Sequence, residues 1–161
     1  MELWIGALHL GFIYAFVGIG IFISFKILDF ADITVDASFT TGGAVTAVCL
    51  ISGFHPFASL TCAFLGGMAA GLCTALIHTK MKINALLSGI LVMIGFYSIN
   101  LRIMGRSNLP LLKETTLFTL IRNINPGINQ EIWIALILLI TMSVFIFLMT
   151  MLFKTDFGLT I

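Results

Sequence analysis

Long apolar stretches, broken by polar connections, dominate this chain. A helix needs about 20 apolar residues to cross the hydrocarbon core of a bilayer. Five stretches approach or reach that length: 3–25, 37–54, 56–77, 83–101 and 132–153. They are far longer than the roughly 9–11 residues of a barrel strand, so the pattern predicts spanning helices. The first stretch contains His9 but no Asp, Glu, Lys or Arg. It begins Met1-Glu2 rather than with basic residues, its apolar core is too long for a secretory leader, and no small-x-small cleavage site closes it. It is expected to be a retained span. All three prolines, Pro56, Pro110 and Pro126, fall between or at the edges of the apolar runs, where a missing N–H costs least.

Composition narrows the class further. Of 161 residues, 60% are hydrophobic and 9% charged, with a mean hydropathy of +1.15. Average soluble domains carry about 25% charged residues, so these side chains could not cover a soluble surface. Low hydrophobicity, which disorder requires, is lacking. A net charge of +1 is too small for the basic field of a nucleic-acid binder. Cys49, Cys62 and Cys73 all lie within apolar runs and form no Cys-x-x-Cys pair, so they read as small buried hydrophobes.

Five spans place the termini on opposite sides. With the N-terminus outside, Lys26, Lys80, Lys82 and Lys154 are cytoplasmic, while Arg102, Arg106, Lys113 and Arg122 are external. That division is even, so a bare count does not choose an orientation. The short connections do. Lys26 follows span one, Lys80 and Lys82 follow span three, and the turn at 53–56 has no Lys or Arg; only the long connection 102–131 disagrees. The expected fold is therefore an all-α integral membrane protein of about five transmembrane helices, N-terminus outside and C-terminus cytoplasmic. Residues 1–161 are read as a single membrane domain. Its external connection 102–131 contains the turn-like Asn125-Pro126-Gly127 and an apolar patch, 117–121, that suits a short helix on the bilayer surface.

The acidic segment 29–36 is the strongest local feature. Asp29, Asp32 and Asp36 are spaced i, i+3, i+7, within about 60° of arc if the stretch is helical, and Lys26 joins that stripe. Two readings are open. Carboxylates beside apolar spans usually face a bundle interior or a water-filled cavity, which suits a transport path or a cation or proton site. A solvated turn with Asp32, Thr34 or Asp36 as N-cap of span two would use the same residues. No metal site is expected, because histidines and a liganding loop pattern are lacking.

Small residues recur every fourth position in span three at Ala63, Gly67, Gly71 and Ala75, beside a neighbouring row of Gly66, Ala70 and Thr74. Such rows let helix backbones approach closely and are read as helix packing. His78 is expected to snorkel beside Lys80 and Lys82, and Asn100 and Arg102 to anchor the end of span four at the interface. No hydrolase triad, HExxH, phosphate loop or dinucleotide fingerprint occurs. The chain is accordingly not expected to be an enzyme or to take a cofactor. Any ATP-driven function must use an ATPase on another chain.

Two stretches go beyond generic membrane composition. Phe25-Lys26-Ile27-Leu28-Asp29-Phe30-Ala31-Asp32-Ile33-Thr34-Val35-Asp36-Ala37-Ser38-Phe39 is one; the other is His78-Thr79-Lys80-Met81-Lys82-Ile83-Asn84-Ala85-Leu86-Leu87-Ser88-Gly89-Ile90-Leu91-Val92-Met93 with Tyr97-Ser98-Ile99-Asn100-Leu101-Arg102-Ile103-Met104-Gly105-Arg106. Together they resemble permease subunits of bacterial ABC importers in the branched-chain amino acid and ribose permease superfamily, most closely its tryptophan/tyrosine-type branch. The resemblance implies uptake of a small amino-acid-like solute across the bacterial cytoplasmic membrane. It also implies as partners an ABC ATPase subunit, a periplasmic or lipid-anchored substrate-binding protein, and a second permease copy or the missing C-terminal half. Members are about twice this length, and Lys154, Thr155, Asp156, Phe157 and Gly158 resemble the start of the region that couples to the ATPase. An N-terminal half of a longer permease is thus expected. The competing expectation is a small multi-span channel, scaffold or accessory subunit with no ATPase.

The orientation is directly testable. In a background lacking the native cysteines, Ser107→Cys should react with a membrane-impermeant thiol reagent in intact cells, and Thr155→Cys should not. The reverse labelling pattern would contradict an external N-terminus.

Overall fold

A computed structural model describes residues 2–27, 29–30, 32–111, 114–117, 119–120 and 130–155. Within them lie five helices long and apolar enough to cross a membrane. These are α1 (Glu2–Phe22), α2 (Thr34–Ile51), α3 (Pro56–Met81), α4 (Ala85–Met104) and α5 (Gln130–Phe153). A π-helical segment, Ile23–Ile27, continues α1. The expected helical membrane fold is the one observed.

The chain divides into two compact units. Met1–Leu28 with Leu120–Ile161 forms the first, and Asp29–Thr119 the second. In the first, α1 packs against α5, with Phe16 and Phe145 edge to face at 5.5 Å between ring centroids. Large apolar residues of both helices, among them Leu8, Leu10, Leu139 and Phe147, are exposed, as lipid-facing surfaces require.

The second unit is a bundle of α2, α3 and α4, with α2 against both of its neighbours. Its element ends have local causes. α2 stops at Ile51, where the Ser52 N–H donates to Val48 O and Phe54 N–H to Cys49 O, both at 3.0 Å. Gly53 carries the turn at φ +79°, a conformation that disfavours any side chain. Pro56 opens α3 at a position where its missing N–H has no helical partner in any case.

α3 runs four residues past the expected end of its span, through His78, Thr79, Lys80 and Met81. Polar side chains near a helix end do not stop a helix whose backbone bonds are already made. Termination comes instead at Lys82, which is left-handed at φ 54°. It is fixed by His78, whose Nδ1–H donates to Ile83 O at 2.7 Å. Asn84 then opens α4, its side-chain oxygen accepting from Leu86 N–H at 3.0 Å. α2 starts three residues before the apolar run suggested, for a reason that lies in the side chain of Asp32.

The interior of this unit is small and hydroxylated. α2 buries Thr34, Ala37, Thr41, Ala44, Ala47 and Leu50. α3 buries Ser59, Ala70 and Thr74, and α4 buries Ser88, Gly89, Val92 and Asn100. The every-fourth row on α3 contributes only in part. A methyl on Gly67 would meet Ser38 O at 3.3 Å, and Ala63 O lies 3.6 Å from a methyl position on Gly42. A methyl on Gly71, in contrast, would meet open space, and Ala75 is exposed. The neighbouring row Gly66, Ala70 and Thr74, with the same four-residue step, is the one that faces α2: Ala70 and Thr74 are buried, and a methyl on Gly66 would lie 3.2 Å from Val45 Cγ2.

Candidate functional site

The start of α2 gathers the polar groups of the second unit. Asp32 Oδ1 accepts from the backbone N–H of Thr34 at 2.7 Å, which satisfies one of the open donors of the first turn. Thr34 is thereby placed to share a hydrogen bond with Thr74 of α3, Oγ1 to Oγ1 at 2.6 Å and buried. Thr74 lies within 3.4 Å of Ala70 O, to which its hydroxyl donates.

Gly89, one turn inside α4, completes the arrangement. A Cβ there would stand 3.2 Å from Ile33 N, 3.3 Å from Asp32 Oδ1 and 3.4 Å from Thr34 Oγ1. Only a residue without a side chain lets α4 come this close. The Asp32 carboxylate consequently faces the N-terminal ends of two helices, where backbone dipoles favour negative charge.

Two further polar contacts extend from this point. Asn100 of α4, 5% exposed, donates through Nδ2 to Thr41 Oγ1 at 3.1 Å. At the other end of α4, the rings of Phe30 and His78 stand in a T-shaped pair at 4.9 Å between centroids. These groups can hold α2 against α3 and α4. Among the described residues no group of three or more His, Cys, Asp or Glu side chains is placed to hold a metal ion.

Residues 4–161 match a family described as the branched-chain amino acid transport system, permease component. The chain belongs to this permease family. It is 48% identical over 106 residues to a tyrosine transport system permease protein of Clostridioides difficile (strain R20291), covering 66% of this chain and 36% of that protein. It is 32% identical over 159 residues to an uncharacterized protein of Rickettsia prowazekii (strain Madrid E), covering 99% of this chain and 53% of the relative. The chain thus spans about half the length, or less, of these curated relatives. No solved structure matches it. Membership of the permease family together with five spans makes this a multi-pass protein of the bacterial inner membrane.

With the permease family established, the candidate residues read differently from one another. The acidic segment is not one helix, so its carboxylates form no common stripe. Asp29 is left-handed at φ 47° and exposed, and it precedes the first turn of α2. Asp32 is half-buried and committed to the Thr34 N–H. Asp36 lies in the first turn of α2 and is exposed. Lys26 lies in the last turn of the π-helical segment of the other unit and is exposed.

At the chain's far end, Lys154 N–H donates to Thr150 O and Met151 O, at 3.2 and 3.1 Å, and Thr155 N–H to Leu152 O at 3.1 Å. Both residues therefore continue the last turn of α5. Asp156, Phe157 and Gly158 lie outside the described residues, as do Phe118 and Ile121 of the apolar patch 117–121, whose Leu117, Thr119 and Leu120 are helical.

Thr34, Thr41, Gly89 and Asn100 were not singled out by sequence reasoning as a buried set. The available signal was a seven-residue spacing of Thr34 and Thr41 on one face of α2, opposite Thr74 in a row of small residues. Asn100, expected at the interface, is instead turned inward by its bond to Thr41.

Unequal roles for the three carboxylates predict unequal effects on stability. Asp32→Ala should cost about 1 kcal/mol, within the 0.5–2 kcal/mol range of lost N-terminal caps, and Asp32→Asn less, since the acceptor remains. Asp36→Asn should stay within about 0.5 kcal/mol. Asp29→Leu should cost about 1–2 kcal/mol through its left-handed backbone, whereas Asp29→Asn should be tolerated. Unfolding of the purified protein in mild detergent measures all four. Equal losses for Asp32→Ala and Asp36→Asn would contradict these assignments.

Proposed function

We propose that this chain forms the membrane-spanning part of a permease subunit in an ATP-driven importer of a small amino-acid-like solute. The observation carrying this reading is the family match across residues 4–161. The tyrosine transport system permease protein, 48% identical over 106 residues, points to an aromatic amino acid as the first solute to test. ATP hydrolysis takes place on a partner ABC ATPase, and solute is delivered by a periplasmic or lipid-anchored binding protein. A second permease copy, or further permease sequence such as the relatives carry, completes the pathway. The N-terminus is outside and the end of α5 cytoplasmic, which puts Lys154–Gly158 on the side of the ATPase.

Among the acidic residues, Asp36 is the one proposed to face the solute path. It shares the outward side of α2 with Thr40 and Gly43, all three exposed. A carboxylate on a membrane helix needs water or protein beside it rather than lipid. Thr40 Oγ1 donates to Asp36 O and Ala37 O, at 3.0 and 3.1 Å, so that its own polar demand is met within the helix. Asp32, occupied by the α2 backbone, is assigned to structure instead.

Uptake decides the matter. Cells expressing this chain with its complete permease, ATPase and binding protein should accumulate radiolabelled tyrosine, and should lose that uptake when the phosphate-loop lysine of the ATPase is replaced. Asp36→Asn should reduce uptake about tenfold or more while the protein level is unchanged, as for removal of an in-path charge. Accumulation that persists without this chain would contradict the permease reading. Wild-type uptake by Asp36→Asn would remove only the assignment of Asp36.

A further inference from the structure

α2 and α3 run antiparallel, joined by the turn at Gly53, and their contacts follow a regular register. A methyl on Gly66 would lie 3.2 Å from Val45 Cγ2. Moving one turn from each of these residues toward the connecting turn leads to Cys49 on α2 and Cys62 on α3. A step of four residues, forward on one helix and back on the other, keeps the two on the same contact line. That register sets the two side chains facing each other across the α2–α3 contact, near enough for Cys62 to act on the Cys49 thiol. Both cysteines are free and half-buried rather than sealed in the interior. Cys73 lies on the same helix about three turns further from the connection.

We propose that Cys49 and Cys62 form an oxidisable dithiol whose disulfide staples the α2–α3 hairpin, with a lipid or other organic hydroperoxide as oxidant. Their position selects that class. The pair lies within the membrane-spanning part of both helices but near their connecting ends, a depth that an apolar peroxide enters and a charged oxidant does not.

The chemistry balances. The sulfur of one cysteine attacks the terminal oxygen of the hydroperoxide and the O–O bond breaks. The departing alkoxide takes the thiol proton and leaves as an alcohol, and the cysteine becomes a sulfenic acid. The neighbouring thiol then attacks that sulfur. The S–S bond forms, the S–O bond breaks, and hydroxide leaves with the second thiol proton as water. Two thiols are oxidised by two electrons in total, and one peroxide is reduced to alcohol and water. A partner thiol held on the facing helix favours the second step over further oxidation of the sulfenic acid. The inference rests on the α2–α3 contact alone and does not depend on what the permease transports.

The test uses the purified full chain in lipid vesicles exposed to cumene hydroperoxide, followed by denaturation, alkylation of the remaining thiols and mass spectrometry. Alkylation should fall together at Cys49 and Cys62, by more than about tenfold relative to Cys73. The chain should lose the mass of two hydrogens, a peptide pair linked through Cys49 and Cys62 should appear, and dithiothreitol should restore both thiols. Cys73→Ser should behave in the same way. In Cys62→Ser, oxidation should stop at a Cys49 sulfenic acid that dimedone traps. Alkylation of all three cysteines to the same extent would overturn the proposal, and so would a linkage that involves Cys73 or joins separate chains.

Discussion

A helix in lipid gains little by leaving apolar solvent for an apolar neighbour. What holds it there is close packing and the few hydrogen bonds that packing allows. α2 shows the consequence. Its inward line of Thr34, Ala37, Thr41 and Ala44 is short enough in side chain to bring its backbone near α3 and α4. The two hydroxyls on that line then find partners, Thr34 on Thr74 and Thr41 on Asn100. Larger apolar residues at these positions would hold the helices apart and leave Thr74 and Asn100 facing hydrocarbon.

The same constraint explains why a carboxylate stands at this point of the sequence. Asp32 completes the first turn of α2 from outside the helix, and its oxygen lies against the bare backbone of Gly89. One residue thus sets where α2 begins and how near α4 can come. An acidic side chain beside a membrane span invites a role in transport, yet geometry gives this one structural work. Asp36, one turn further along and on the outward face, keeps its carboxylate free of any capping role.

Much of the architecture was legible in the chain because hydropathy and length are what the bilayer itself imposes. Five apolar runs gave five helices, and Pro56 and Gly53 marked the turn between α2 and α3. The boundaries were less legible. A hydropathy pattern treats Thr34 and Lys80 alike as polar, whereas the first is buried on Thr74 and the second extends α3 into the polar region. The carboxylate spacing suggested a stripe only under the assumption of a continuous helix, which the left-handed Asp29 breaks. Regular small-residue spacing likewise marked α3 with two rows of the same period, and spacing alone could not say that the row of Ala70 and Thr74 is buried while Ala75 of the other is exposed. Contacts between distant positions, such as Asn100 with Thr41 or Cys49 with Cys62, depend on helix register and leave no trace in a single sequence.

The seam between α2 and α3 can be measured most directly by a double-mutant cycle. Thr34→Val, Thr74→Val and the double variant keep side-chain volume while removing the hydroxyls, and equilibrium unfolding in bilayer-like bicelles reports each stability. A seam held by this bond requires a coupling of about 0.6 kcal/mol, and at most about 1.7 kcal/mol, the range found for hydrogen bonds between membrane helices. Single effects that add to within about 0.3 kcal/mol would mean that the two hydroxyls do not act on each other, and that something else positions α2.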